Sequence, residues 1–304
     1  MENITGTILN EMEQRGFKAR AVSTAHLPQL QDDIDGFVRQ GVIDTKLREA
    51  YLQFLYAPPE KLAGAGTIFI VAIPQPIIRA AFEWQGTPRD TIIPPTYIGA
   101  DDARVREALE TMLSPAGHGI ARARLPVKTL AVRSGLAQYG RNNVTYVPGF
   151  GSFHRLVAFY ADCDCAVDSW QDKSVMKACE DCTACRDNCP THCILPDRFL
   201  IDAGNCLTWF NEIPDDIPAW VPPTAHNALI GCMRCQDVCP VDKLQMRQVA
   251  EGPRFSEEET TLVLQKTPFE KLPEETRRKL AAIAYDGLYS LLARNLGVLL
   301  DKGM

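Results

Sequence analysis

The chain has 304 residues, with 32 Lys and Arg against 38 Asp and Glu for a net charge of −6, and 46% apolar and 23% charged side chains. This ordinary globular mixture excludes a disordered tail protein and disfavours one that grips nucleic acid by bulk positive charge. The unusual feature is eleven cysteines, none before Cys163 or after Cys239, too clustered for a small disulfide scaffold and pointing to metal instead.

At the N-terminus, Glu2, Glu11, Glu13, Arg15, Lys18 and Arg20 leave no room for the apolar core of a secretory signal. Ile8, Leu9 and Met12, stopped by Gly16, predict a first helix. TIFIVAI, residues 67–73, reads as a buried strand closed by Pro74 and Pro76, and it is far too short to span a membrane. Asp101 is expected to cap a helix whose apolar face is Val105, Leu109, Met112 and Leu113. A second helix from Val127 to Ser134 should end at Gly135, and Leu156 to Ala161 is another apolar run of strand length. Alternating helices and strands over roughly the first 165 residues predict an α/β or α+β layer domain. The expected setting is the cytoplasm, with no membrane partner and with thiols kept reduced.

From about residue 170 the texture changes. Nine cysteines fall between residues 179 and 240, and Pro214, Pro218, Pro222 and Pro223 break the middle of this segment. Such a piece is not expected to rely on its apolar core alone, so bound metal should help to hold it. The tail reads as helical: Ser256 with Glu259 forms a capping-box pattern. Leu280, Ile283 and Ala284, then Leu288, Leu291, Leu292 and Leu296, recur at helical period.

Cys179, Cys182, Cys185 and Cys189, followed by Pro190, form the C-x2-C-x2-C-x3-C-P run of bacterial [4Fe–4S] proteins. Three thiolates on a tight loop serve one cubane, and the fourth, carried off by the next segment, serves the other. A second run, Cys232, Cys235 and Cys239 before Pro240, repeats the end of the first. Crossing the ligands gives Cys179, Cys182, Cys185 and Cys239 to cluster 1. Cluster 2 then has Cys189, Cys232 and Cys235 and needs a fourth ligand. Cys206 is favoured over Cys193, which lies one helical turn beyond Cys189 and would crowd the same cubane; a [3Fe–4S] centre is the fallback. Structural zinc would use two C-x2-C pairs, but it does not explain the repeated C-x3-C-P. Cys163, Cys165 and Cys193 are left as free thiols. His26, His118, His154, His192 and His226 have no zinc-hydrolase spacing, and no phosphate-loop glycine motif follows a strand.

The cysteine order, with an isolated Cys206 about seventeen residues after Cys189, resembles that of epoxyqueuosine reductases and, more distantly, their reductive-dehalogenase relatives. So does the preceding stretch SGLAQYGRNNVTYVPGFGSFHRLVAF, where Gly135, Leu136, Gly140, Arg141, Asn142, Pro148, Gly151 and Ser152 stand at matching places. The resemblance implies an α+β protein: a nitroreductase-like cobalamin-binding domain over residues 1–170, a ferredoxin-like double [4Fe–4S] domain over 171–250 and a helical segment over 251–304. It also implies base-off cobalamin held by those eight residues, with the glycines allowing close backbone approach. Thiolate-held clusters reaching about −400 mV or lower would reduce it, fed by a ferredoxin- or flavodoxin-type donor.

Two departures stand out. The family places an aspartate, its proton donor, just before the glycine-leucine helix; here HGIARARLPVKTLAVRSGL carries Arg122 and Arg124 and no carboxylate. Tyr97, Tyr139 and His154 are the substitute candidates. The acidic balance also disfavours tRNA, the substrate that the resemblance implies, since the longest basic cluster is Arg277, Arg278 and Lys279. The leading expectation is a cobalamin- and iron–sulfur-dependent oxidoreductase. The alternative is an electron-transfer or reductive-activation partner of another corrinoid or metalloprotein, with no tRNA substrate. A plain ferredoxin would leave the long α/β domain without a purpose.

Overall fold

A computed structural model of the protein describes residues 4–43, 45–99 and 101–301. In chain order these form α1 (Ile4–Gln14), β1 (Lys18–Ser23), α2 (Leu27–Arg39), α3 (Thr45–Tyr51), β2 (Thr67–Pro74), β3 (Ile77–Trp84) and β4 (Thr87–Ile93). Next come α4 (Asp101–Leu113), β5 (Ile120–Arg122), α5 (Val127–Arg133), β6 (Gln138–Tyr139), β7 (Thr145–Tyr146), β8 (His154–Ala161) and α6 (Ala184–Asp187). The remainder is α7 (Leu207–Glu212), α8 (Arg234–Asp237), β9 (Val249–Phe255), α9 (Glu257–Leu264), α10 (Glu274–Ala282) and α11 (Tyr289–Asp301).

The chain divides into two compact units, the first made of residues 1–74 and 99–182 and the second of 75–98 and 183–304. These do not follow the expected boundaries at 170 and 250. The reason lies in pairing: β3 joins its hairpin partner β4 on one side and β9, from the tail, in parallel on the other. Neither the hairpin nor β9 is signalled by a long apolar run.

In the first unit β2 and β8 are the inner strands of an antiparallel sheet ordered β1-β2-β8-β5, and the β2 residues from Thr67 to Ile73 are all buried. Alternation sends Phe69, Val71 and Ile73 to one face, where Val157 and Phe159 join them. Ile8 and Met12 of α1 and Val105, Ala108, Leu109 and Leu113 of α4 close that layer, as the helical spacing predicts. Asp101 sits in the first turn of α4, and the capping position before it lies outside the described residues. Helix α5 also packs on β2 and β8, and it ends at Gly135, whose φ of +70° supplies the left-handed turn after the helix.

The second unit has a core of its own. Phe82 and Phe255 stack at 4.3 Å, and Val263, Leu280, Tyr285, Leu292, Leu296 and Leu300 from the tail pack around them with Leu229 and Ile230. The cysteine-rich segment therefore shares an apolar core with the hairpin and the tail. The bulge where β9 passes β3 falls at Gly252, where a Cβ would lie 2.8 Å from the Arg79 carbonyl oxygen. Ser256 and Glu259 form the predicted capping box at α9.

Candidate functional site

Within the second unit, the chain after α6 turns Cys189 and Cys193 inward with Ile194, and Cys185, Ile201, Cys206 and Cys235 pack against them. Cys189 Sγ lies 3.5 Å from Cys193 Sγ and 3.7 Å from Thr191 Oγ1. Cys193 also hydrogen-bonds Cys206. Hydrogen bonding with Cys193 holds the Cys189 and Cys206 thiols below their ordinary range and raises that of Cys193 itself. On the opposite run, Asn227 Nδ2 donates to Cys232 Sγ at 3.2 Å while its Oδ1 accepts from the Met233 N–H at 2.7 Å. The Arg234 N–H reaches the same sulfur at 3.5 Å, and burial pushes the Cys232 thiol up to about 11. Asn188 Nδ2 donates to the Arg234 carbonyl at 2.6 Å, tying α6 to α8.

This donor set is sulfur-rich, half-buried to buried, and furnished with N–H donors at the Cys232 sulfur, which suits an iron–sulfur cluster. Spacing alone had set Cys193 aside, yet it lies within the group. Asn227 was missed altogether, because an asparagine five residues before a cysteine carries no spacing signal.

The first cysteine loop is held differently. Arg141 Nε donates to the Cys182 carbonyl at 2.8 Å, and its Nη2 donates to the carbonyls of Cys179 at 2.5 Å and Glu180 at 3.1 Å. The glycine loop thus grips the chain that carries Cys179 and Cys182. Its shape is set by Asn142, which donates to Tyr146 Oη at 3.1 Å and accepts from the Val144 N–H at 3.3 Å. A Cβ at Gly140 would fall 2.5 Å from the Tyr146 ring. Tyr139 pairs with residues 174–176 through its backbone, Tyr139 N–H donating to Ser174 O and Met176 N–H to Tyr139 O.

Of the eight residues expected at a corrinoid, then, Gly140, Arg141 and Asn142 form the loop and grip the first cysteine segment. Gly135 and Leu136 close α5, Leu136 being buried, and a Cβ on Gly135 would meet the Gln171 side chain at 3.0 Å. Pro148 is exposed, while Gly151, with φ of +58°, accepts at its carbonyl from the Val147 N–H; Ser152 is buried. Their partners lie within the chain, so the side chains themselves show no fit to a macrocycle.

The three candidate acids are also engaged. Tyr97, in the second unit, donates a very short hydrogen bond to Glu212, and burial followed by that carboxylate raises its pKa well above normal. Tyr139 shares a 2.9 Å hydrogen bond with Thr129 and is pushed up to about 12 by burial. His154 Nδ1 donates to the Gly151 carbonyl at 3.1 Å, so Nε2 accepts from Thr145 Oγ1 at 3.0 Å. Burial lowers its pKa to about 4, which keeps the imidazole neutral. Arg122 is exposed on β5 and pairs with Asp102 at 3.0 Å, a carboxylate that Arg155 also holds at 2.7 Å. Arg124 is exposed as well.

Residues 178–242 match the 4Fe-4S double cluster binding domain. The cysteine-rich segment is therefore a double-cluster iron–sulfur domain. Over part of its sequence the chain is similar to epoxyqueuosine reductases. It is 32% identical to that of Cyclobacterium marinum over 49% of this chain and 46% of the relative. It is 31% identical to that of Alicycliphilus denitrificans over 53% and 47%. The chain thus spans about half the length of the curated relatives it matches. The fold agrees over more of the molecule. The epoxyqueuosine reductase of Streptococcus thermophilus superposes with a TM-score of 0.67 at 18% identity, over 98% of this chain and 81% of that one. An epoxyqueuosine reductase solved with an epoxyqueuosine-modified tRNA-Tyr stem loop gives 0.65 at 18%, over 97% and 80%. The expected α+β architecture is thus the fold of epoxyqueuosine reductases. Among the described residues no helix is long and apolar enough to cross a membrane.

Proposed function

We propose that the protein is an epoxyqueuosine reductase-like oxidoreductase in which two [4Fe–4S] clusters pass electrons to a base-off cobalamin. The observation that carries this reading is the thiol group around Cys189 and Cys206, together with the Arg141 grip on the other cysteine loop. Cys179, Cys182, Cys185 and Cys239 hold the first cluster, and Cys189, Cys206, Cys232 and Cys235 the second. The clusters supply low-potential one-electron transfer and the corrinoid supplies the reductive chemistry on the substrate.

The chain's own part is to hold and insulate. Arg141 fixes the backbone of the first ligand loop with charge-assisted hydrogen bonds. Asn227 orients Cys232 and donates to its sulfur. The cobalamin assignment rests on likeness to epoxyqueuosine reductases. A low-potential ferredoxin or flavodoxin is the electron donor of choice for clusters of this type.

The substrate that likeness suggests is epoxyqueuosine in tRNA. Its test is turnover of an epoxyqueuosine-bearing anticodon stem loop by the reconstituted, cobalamin-loaded protein at low salt. Queuosine should form; none forming while the clusters still reduce bound cobalamin would remove this substrate. A second reading, an electron-transfer or reductive-activation partner of another corrinoid or metalloprotein, is favoured by one observation: half-buried Tyr97 and buried Tyr139 and His154 are all engaged in internal hydrogen bonds.

A further inference from the structure

Four cysteines complete the second cluster under the reading above, on which this inference rests, and Cys193 is a fifth thiol in the same pocket. It is 3% exposed, against 7% for Cys189, and its sulfur lies 3.5 Å from that of Cys189 while also hydrogen-bonding Cys206. Ile194 and Ile201 shield the group from water. A thiolate bound to iron has no proton to give and can only accept. The thiol set between two such sulfurs is therefore the donor. Hydrogen bonds to cluster sulfurs are one of the levers that set reduction potential, because a donor favours the more negatively charged, reduced cluster.

We propose that Cys193 is a positioning residue for the second cluster: its S–H donates to the Cys189 sulfur and holds that cluster's potential above the value its four ligands alone would give. Cys193 is not itself a ligand. Its separation from Cys189 is that of a sulfur hydrogen bond, and four residues separate the two along the chain.

The test uses the full chain, reconstituted anaerobically as wild type, Cys193→Ala and Cys193→Ser. Iron analysis, redox titration followed by electron paramagnetic resonance, and resonance Raman spectra in H2O and D2O are recorded for each. All three proteins should hold about eight irons. In Cys193→Ala one cluster should titrate at a lower potential than in wild type, with the other unmoved. Its iron–cysteine stretching bands should also lose their sensitivity to D2O. Cys193→Ser keeps an O–H donor and should recover the D2O sensitivity and part of the potential. Two unchanged potentials in Cys193→Ala would overturn the proposal. So would loss of about half the iron in both variants, which would make Cys193 a ligand. Wild type holding only one cluster would overturn the ligand reading, and this inference with it, before any variant is compared.

Discussion

The two cysteine groups are steadied by opposite means. Around Cys189 the sulfurs themselves make the contacts: buried Cys189 hydrogen-bonds Cys193 and Thr191, half-buried Cys206 hydrogen-bonds Cys193, and Cys232 accepts from Asn227. At Cys179 and Cys182 the sulfurs are half-buried, and the chain is held by its carbonyls through an arginine thirty-eight residues before Cys179. Donors on sulfur act on the electronics of a cluster, whereas donors on carbonyls act on the shape of its loop. The second cluster should therefore respond to nearby substitutions mainly in potential, and the first mainly in lability.

The largest effect expected is at Cys206. Cys206→Ala should lower iron from about eight to about four per chain, whereas an unchanged count would refute its place as a ligand. Arg141→Gln removes three hydrogen bonds from a charged donor, a loss on the order of 3 kcal/mol. It should show as rapid loss of half the iron to a chelator while the other half resists; equal resistance of both halves would mean that the two cysteine groups are not held by different means.

His154 sharpens the same contrast from the scaffold side, since it braces the strand after the glycine loop. Its folded pKa of about 4 lies below the ordinary 6.5. Between those values the unfolded chain binds the extra proton, so stability is retained near neutrality and falls as pH drops through the window. At pH 5 this amounts to about 2 kcal/mol. Comparing urea unfolding of His154→Gln and wild type at pH 7 and pH 5 isolates it from Asp33, Asp102 and Asp168, whose lowered values act in the same direction. A pH dependence identical to wild type would contradict the buried neutral imidazole. The smallest effect is at Asn227. Asn227→Ala removes one donor from Cys232 and should lower only the second cluster's potential, by on the order of 40 mV, as read in a redox titration.

Much of the first unit was legible in sequence, because β2, α1, α4 and α5 are long runs with one clear period. The β3–β4 hairpin and β9 were not. Arg79, Glu83 and Glu251 interrupt their apolar alternation, and β9 becomes a strand only by pairing with β3, far away in the chain. The spacing of the cysteines announced a double-cluster domain, because ligand geometry imposes it. The grip of Arg141 was illegible because its partners are backbone carbonyls brought to it only by folding, and the donation by Asn227 because an asparagine five residues before a cysteine carries no spacing signal. Cys193 was visible as a residue but not as a neighbour of two ligands, since spacing cannot say that a thiol left over in the count is buried beside them.

The most direct test of the central claim is metal analysis with a visible spectrum, on protein purified without oxygen from cells supplied with cobalamin. About eight irons and about one cobalt per chain, with the absorption of a bound base-off corrinoid, are the predicted result. A full complement of iron with no corrinoid bound would contradict it and leave the electron-transfer reading in its place.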